Sequence, residues 1–380
     1  MTELRDFALE IARCLAHPNE PPQALLDLVK EVLRMPAACA LDKLLEMQRR
    51  IDADPLAHRP IGLVYGGATK IKGYVFEAPK LPEIRGASAL LDWVGEQGVN
   101  RIWRDHLPVA IPDDKPHPYI IYAGGGSFLA FAPAELAPDL ATAVEREYTT
   151  QTLTANSVAV AAGFNLLELR YGRLYPPGQA GEPYWVERFL ADCNDPSKCA
   201  ALLAYYYPPE GIDPEDATDE VLRKRFFNRK TFGELVTVLA TMFNRRRDER
   251  ASHGEPRYLP HYELLPWAEK CKSSDARPAV VEAKVGADKR LLSEPSARKL
   301  AVGRAVKGVD VGDLASNLKP WTVPNDLKRA SWEQRWKAFL ESNNGRTSTY
   351  AAHCDALGGT NKVESAKDLA DIASASDPRR

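Results

Sequence analysis

The run YIIYAGGGSFLAFAP, residues 119–133, constrains the fold more than any other stretch of the chain. Two apolar arms flank Gly124, Gly125 and Gly126. Glycine reaches positive φ without steric cost, so three in a row between apolar arms predict strand, tight turn, strand. A hairpin this apolar needs further strands and a helical cover. IGLVYGG (61–67) reads as a buried strand ending in glycines. A helix is expected from about Ala87 to Gln97, stopped by Gly98. AELAPDLATAVEREY (134–148) has helical periodicity, with Pro138 delaying its start, and NSVAVAAGFNLLELRYG (156–172) is strand-like at its beginning. The order β-α-β-β-α-β predicts an α+β chain built on a ferredoxin-like split βαβ unit over residues 61–172.

The flanks read differently. Residues 1–60 show apolar spacing of three and four in Leu4, Phe7, Ile11 and Leu15, and again in Leu25, Leu28, Val29 and Val32, which predicts helices. Residues 173–262 form a connector rich in Pro and Tyr with basic helical stretches. Residues 263–310 form a small module, and 311–380 a Pro/Trp loop followed by helices, one near Lys362–Ala373. Lys plus Arg total 50 and Asp plus Glu 52, so the net charge of −2 excludes a uniformly basic protein but permits a local basic surface. The N-terminus, interrupted by Glu3, Arg5, Asp6 and Glu10, is not expected to be a secretory signal, and no apolar run approaches the roughly 20 residues of a membrane span. Six scattered cysteines predict reduced thiols and a cytoplasmic protein without a membrane partner.

A hairpin at the centre of such a sheet is where phosphoryl-transfer enzymes place acidic residues, because Mg²⁺ needs hard oxygen ligands. Here the turn is Gly124-Gly125-Gly126-Ser127, and the first strand exits through Val64-Tyr65-Gly66-Gly67-Ala68-Thr69. Neither contains an acid, so no catalytic residue is expected. The turn's N–H groups and the Ser127 hydroxyl can still face a phosphate; the alternative is a purely structural hairpin. Lys80, Arg85 and Ser88 in KLPEIRGAS are expected just before or at a helix start, beside that turn, where phosphate binds well. The alternative is a helix cap with a surface arginine.

Two basic stretches follow. LRKRFFNRK contributes Arg223, Lys224, Arg225, Arg229 and Lys230, and FNRRRDER contributes Arg245, Arg246 and Arg247. With Phe226, Phe227 and Phe243 interleaved, they suit RNA backbone contact and base stacking. A solvated helix face is the competing reading.

KIKGYVFEAPKLPEIRGASALLDWV followed by YIIYAGGGSFLAFAP resembles the first palm domain of the large polymerase/cyclase-like subunit of type III CRISPR effector complexes. The resemblance is strongest over 61–170 and extends more weakly to 263–310, and AKDLADIASASDPRR resembles the segment leading into the family's second palm. It implies an N-terminal half of that subunit, from a split subunit or a longer one, whose first palm ordinarily lacks catalytic acids. The second palm's Gly-Gly-Asp-Asp is not among these residues. None of the seven histidines is followed by Asp, so the family's HD nuclease activity is not expected. The family's Cys-x2-Cys pairs fall on Cys271, Ser274, Ser293 and Ser296. Serine stays protonated near neutral pH and one cysteine cannot hold structural zinc, so a degenerate ribbon without metal is expected.

The resemblance further implies partners: crRNA and target RNA, the backbone, small and crRNA 5′-end-capping subunits, and a separate chain carrying the second palm. No cofactor is expected on this chain alone; ATP and Mg²⁺ would bind only between two palms, where family members make cyclic oligoadenylates. The alternatives are an interaction-only subunit and a stand-alone nucleotide cyclase, the latter opposed by the missing acids.

Overall fold

The computed structural model describes residues 2–36, 39–109, 112, 115–174, 185–206, 218–248, 260–261, 267–285 and 288–328. In chain order the elements are α1 (Thr2–Ala16), α2 (Gln23–Arg34), α3 (Leu41–Ala53), β1 (Ile61–Thr69), α4 (Ile71–Val75), α5 (Leu81–Trp93), a π-turn (Val94–Gly98) and α6 (Val99–His106). Then come β2 (Ile120–Gly124), β3 (Ser127–Pro133), α7 (Ala137–Thr152), β4 (Asn156–Phe164) and α8 (Leu166–Tyr171). Helices α9 (Trp185–Cys193), α10 (Pro196–Tyr206), α11 (Asp219–Arg229) and α12 (Phe232–Asp248) follow. The last elements are β5 (Val281–Val285), β6 (Asp288–Leu292), α13 (Glu294–Val306), α14 (Gly312–Ser316) and a short 3-10 turn (Asn325–Lys328). The helix expected near Lys362–Ala373 lies outside the described residues.

The chain divides into two units. One holds residues 1–71 and 94–261, the other 72–93 and 262–380. The segment boundaries read from sequence do not coincide with this division, because residues 72–93, within the expected palm, associate with the C-terminal module.

The first unit is built on a four-stranded sheet of order β2-β3-β1-β4. β1 runs antiparallel to both β3 and β4, and β2 antiparallel to β3. With helices in the β1–β2 and β3–β4 connections, this is the ferredoxin-like βαββαβ topology. Central β1 is nearly continuous in apolar and glycine residues, as a strand covered on both faces must be. On one face α7 presents Leu140, Val144 and Tyr148, four apart and all buried. Trp103 of α6 is fully buried, stacks edge-on to Phe128 at 5.8 Å and donates its indole N–H to the Phe131 carbonyl at 2.8 Å. On the other face Phe131 meets Phe7 of α1 at 5.4 Å and Phe232 of α12 at 6.3 Å, while Tyr65 meets Phe243 at 5.4 Å. α7 begins at Ala137 with Pro138 in its first turn, where a missing N–H costs nothing.

One backbone donor on the outer edge of β4 is taken up by an ion pair. The buried Glu145 carboxylate of α7 accepts the Ala159 N–H at 2.9 Å and the Arg246 guanidinium of α12 at 2.9 and 3.1 Å. A backbone donor that would otherwise face a neighbouring strand is thus occupied by a side chain.

In the second unit α5 crosses α13 at backbone contact. A Cβ on Gly86 would lie 1.7 Å from the Lys299 carbonyl, and one on Gly303 would lie 1.9 Å from the Pro82 carbonyl, so only glycine fits either position. The fully buried Lys299 donates to the Tyr74 carbonyl at 2.8 Å and to Glu77 at 2.7 Å, and sits 4.0 Å from the Tyr74 ring centroid. Glu77 also accepts from Arg277 at 2.7 Å. Burial by itself raises the Glu77 carboxyl, but Lys299 and Arg277 outweigh it and hold it below the usual range. β5 and β6 form an antiparallel hairpin leading into α13.

Candidate nucleotide-facing turn, basic surface and ribbon-like cluster

The β2–β3 hairpin closes on the pair Gly124–Ser127, leaving Gly125 and Gly126 as a two-residue turn with φ of 60° and 83°. Positive φ at both positions is the geometry that favours strand twist and requires glycine or Asn. The turn lies against the end of β1. Ala68 N–H donates to the Gly126 carbonyl at 2.9 Å, and a Cβ on Gly67 would stand 2.0 Å from that oxygen. The expected neighbourhood of first-strand exit and glycine turn therefore exists, and space around Gly125 is open. The Ser127 hydroxyl lies beside the Tyr122 phenol, whose pKa burial raises and Ser127 partly lowers.

One acid near this turn was not found from sequence. Glu96 is exposed on the π-turn, and its Oε1 lies 3.6 Å from where a Gly124 Cβ would be. The residues that sequence places at such a site lie in the hairpin and β1, whereas this carboxylate comes from the crossover connection. A π-turn widens a helix by one residue and re-aims its side chains. The available signal was the sequence Gly95-Glu96-Gln97-Gly98 inside a predicted helix.

Lys80, Arg85 and Ser88 belong to the second unit, and Gly124–Ser127 to the first. Helix α5 starts at Leu81, six residues before the expected Ala87. Pro82 in its first turn explains the early start, since proline is pre-organised there. Lys80 alone precedes the helix, its carbonyl accepting from Glu83 and Ile84, both at 3.0 Å. Arg85 and Ser88 lie inside the helix, so the expectation that they gather at its N-terminus is corrected. That N-terminus carries its own acid: Glu83 is buried, accepts from the Ser273 hydroxyl at 2.6 Å, and has its pKa raised by burial.

The basic stretches fall on α11 and α12. Lys224, Arg225, Arg245 and Arg247 are exposed, with Arg247 paired to Asp248 at 3.0 Å. Arg223 is half-buried, and the side chain of Arg229 lies outside the described residues. Two cations do not fit the expected role. Arg246 is committed to buried Glu145, and half-buried Lys230 to Glu234 at 2.8 and 2.9 Å and to the Arg173 carbonyl. The aromatic neighbours are not open stacking platforms either. Phe226 and Phe227 are buried, Phe226 against Phe189 at 5.1 Å and Phe227 against Tyr171 at 5.4 Å, and Phe243 covers Tyr65. Their apolar area is worth more in the core than in water.

The four ribbon positions do converge. Cys271 Sγ lies 3.5 Å from Ser296 Oγ, which lies 3.1 Å from Ser293 Oγ; Cys271, Ser293 and Ser296 are all buried. The Ser274 hydroxyl acts on the same sulfur, although it has no hydrogen-bond partner of ordinary geometry among the described residues. Burial alone would push the Cys271 thiol up. The Ser293 N–H and the hydroxyls of Ser274, Ser296 and Ser293 outweigh it and bring the pKa down to about 7. Hydroxyl donors suit a thiolate and make poor zinc ligands, so this set does not fit zinc. Among the described residues no group of three His, Cys, Asp or Glu is placed to hold a metal ion. The described cysteines 14, 39, 193, 199 and 271 are all free thiols. Among the described residues no helix is long and apolar enough to cross a membrane. No protein-family model matches the chain, and no curated protein matches it.

Proposed function

We propose that the chain is a large-subunit component of an RNA-guided type III CRISPR effector complex, cytoplasmic, scaffolding crRNA and target RNA. In this reading its ferredoxin-like sheet forms the non-catalytic half of an ATP pocket for cyclic oligoadenylate synthesis. The observation that carries the reading is the convergence of Cys271, Ser274, Ser293 and Ser296 on one sulfur. Those positions were picked out only by the resemblance and are up to 25 residues apart in sequence. The ferredoxin-like order and the glycine turn without carboxylates support it as well.

The roles follow from the residues. Gly125 and Gly126 let a ligand approach the backbone closely. Glu96, as a carboxylate, accepts hydrogen bonds from ribose hydroxyls and repels phosphate, which orients a nucleotide with its sugar toward the turn. The Mg²⁺ and the carboxylates that hold it come from a partner chain's palm, because the turn and β1 of this chain supply none. Lys224, Arg225, Arg245 and Arg247, all exposed, provide phosphate contacts, whereas Arg246 and Lys230 serve the fold.

A second reading, an interaction-only subunit, draws on the same Glu96, whose charge opposes a triphosphate at the turn. The test is to assemble the chain with a Gly-Gly-Asp-Asp palm subunit, crRNA and target RNA, and to assay cyclic oligoadenylates from ATP. The composite is expected to be active and this chain alone inactive. Gly125→Trp should abolish synthesis with the complex still assembled. An active Gly125→Trp complex would favour the interaction-only reading, and activity of this chain alone would refute both.

A further inference from the structure

We propose that a cleft of the first unit, between α9, α10 and α12, is a nucleotide site: a nucleobase stacks on Trp185 and the phosphate is taken by Arg188. The proposal is independent of the glycine turn and of the reading just given. The cleft measures about 570 Å³ and is lined by Trp185, Arg188, Phe189, Lys230, Glu234 and Thr237, among others. That volume falls in the range of small-molecule sites.

The charges within it are not equivalent. Lys230 is paired to Glu234 at 2.8 and 2.9 Å, and Asp192, also on the wall, to Lys198 at 2.6 Å. Arg188 is exposed and has no carboxylate partner among the described residues; its guanidinium carbon is 5.9 Å from the Trp185 ring centroid. Lys230 approaches the same ring at 6.0 Å. One aromatic wall, a guanidinium without a carboxylate partner among the described residues, and the Thr237 hydroxyl, which donates to the Gly233 carbonyl at 3.0 Å and keeps its acceptor side, therefore line one concave surface. A ligand complementary to all three has a planar ring, a single anionic group a few ångströms away and hydrogen-bonding edges. A nucleotide combines these features, and aromatic stacking accepts any base while Arg grips a phosphate through two N–H donors. Phe189 and Phe226 sit in the floor, where burial fixes them and keeps the cleft's shape.

The nucleotide has two sources, a free mononucleotide or one residue of a single-stranded RNA. Isothermal titration of the full chain with AMP, adenosine and an adenosine octaribonucleotide separates them. AMP is expected to bind. Arg188→Gln should weaken AMP about tenfold and leave adenosine unchanged. Trp185→Leu should weaken both. The octamer displacing AMP assigns the site to a strand, and AMP binding without displacement assigns it to the free nucleotide. Circular dichroism of each variant checks the fold, and exposed Arg188 keeps the test open should Trp185→Leu not fold. No AMP binding, or AMP binding equal in wild type and Arg188→Gln, overturns the proposal.

Discussion

Three consecutive arginines in α12 have different physical roles. Arg245 and Arg247 are exposed, whereas Arg246 meets a carboxylate that has no access to water. Removing one partner of a buried pair leaves an uncompensated charge and costs about 3–5 kcal/mol. Arg246→Ala is therefore expected to lower the denaturant midpoint sharply, while Arg245→Glu with Arg247→Glu should leave it within about 1 kcal/mol of wild type. The double variant is then the proper probe of RNA contact. RNA affinity in filter binding should fall, with a shallower salt dependence; equal affinity at every salt concentration would remove these residues from the interface. Nothing in NRRRD marked the middle arginine, because its partner is 101 residues away. Cys271 gives a second prediction at this scale. Its folded pKa of about 7 is below the ordinary thiol value, so the unfolded chain binds more protons between the two. Stability should rise from about pH 7 to pH 9, and that contribution is lost as pH falls through 7. The gain is on the order of 2 kcal/mol, and Cys271→Ala should remove the slope from urea midpoints measured across that window.

The elements most legible in the sequence were those with strong local signals. The glycine turn, both its arms, β1 and α7 follow from period and turn chemistry, and their order predicted the sheet. Two features were not. The start of α5 was placed six residues late because its first turn contains Glu83, a polar residue that tertiary contact with Ser273 buries. The π-turn carrying Glu96 has no periodicity of its own. The ribbon-like module shows the opposite case, in which four positions taken only from the family resemblance are ones that the chain brings together. A sharp test follows. Ser274→Cys, Ser293→Cys and Ser296→Cys combined should take up about one zinc per chain by metal analysis, since four thiolates at one point form a tetrahedral site. The single variants should not. A triple variant that stays metal-free would show that the four side chains do not share one centre.

At the scale of the whole molecule, the chain is divided discontinuously. Residues 72–93 leave the ferredoxin-like unit's sequence to join the C-terminal module, and α13 depends on α5 through the Gly86 and Gly303 contacts. No reading by consecutive segments could find this, because the connection is made by a close approach of two backbones more than 200 residues apart. A fragment of residues 262–380 lacks α5 and leaves that face of α13 open to water. Such a fragment is expected to show no cooperative thermal transition by circular dichroism, whereas residues 72–93 joined to it through a glycine/serine linker should restore one. A cooperative melt of the fragment alone would contradict the dependence.

The ion pair of Glu145 and Arg246 has a consequence for solubility. Its Glu145 carboxylate occupies the Ala159 N–H on the β4 margin, which removes one donor that a β-strand of another molecule could use. Loss of Arg246 would do more than destabilise: a Glu145 carboxylate left without its cation is driven toward water and releases the Ala159 N–H it holds, exposing a donor on the strand margin. Heated samples of such a variant should precipitate with concentration-dependent kinetics, while wild type, guarded by one guanidinium, stays clear over the same ramp.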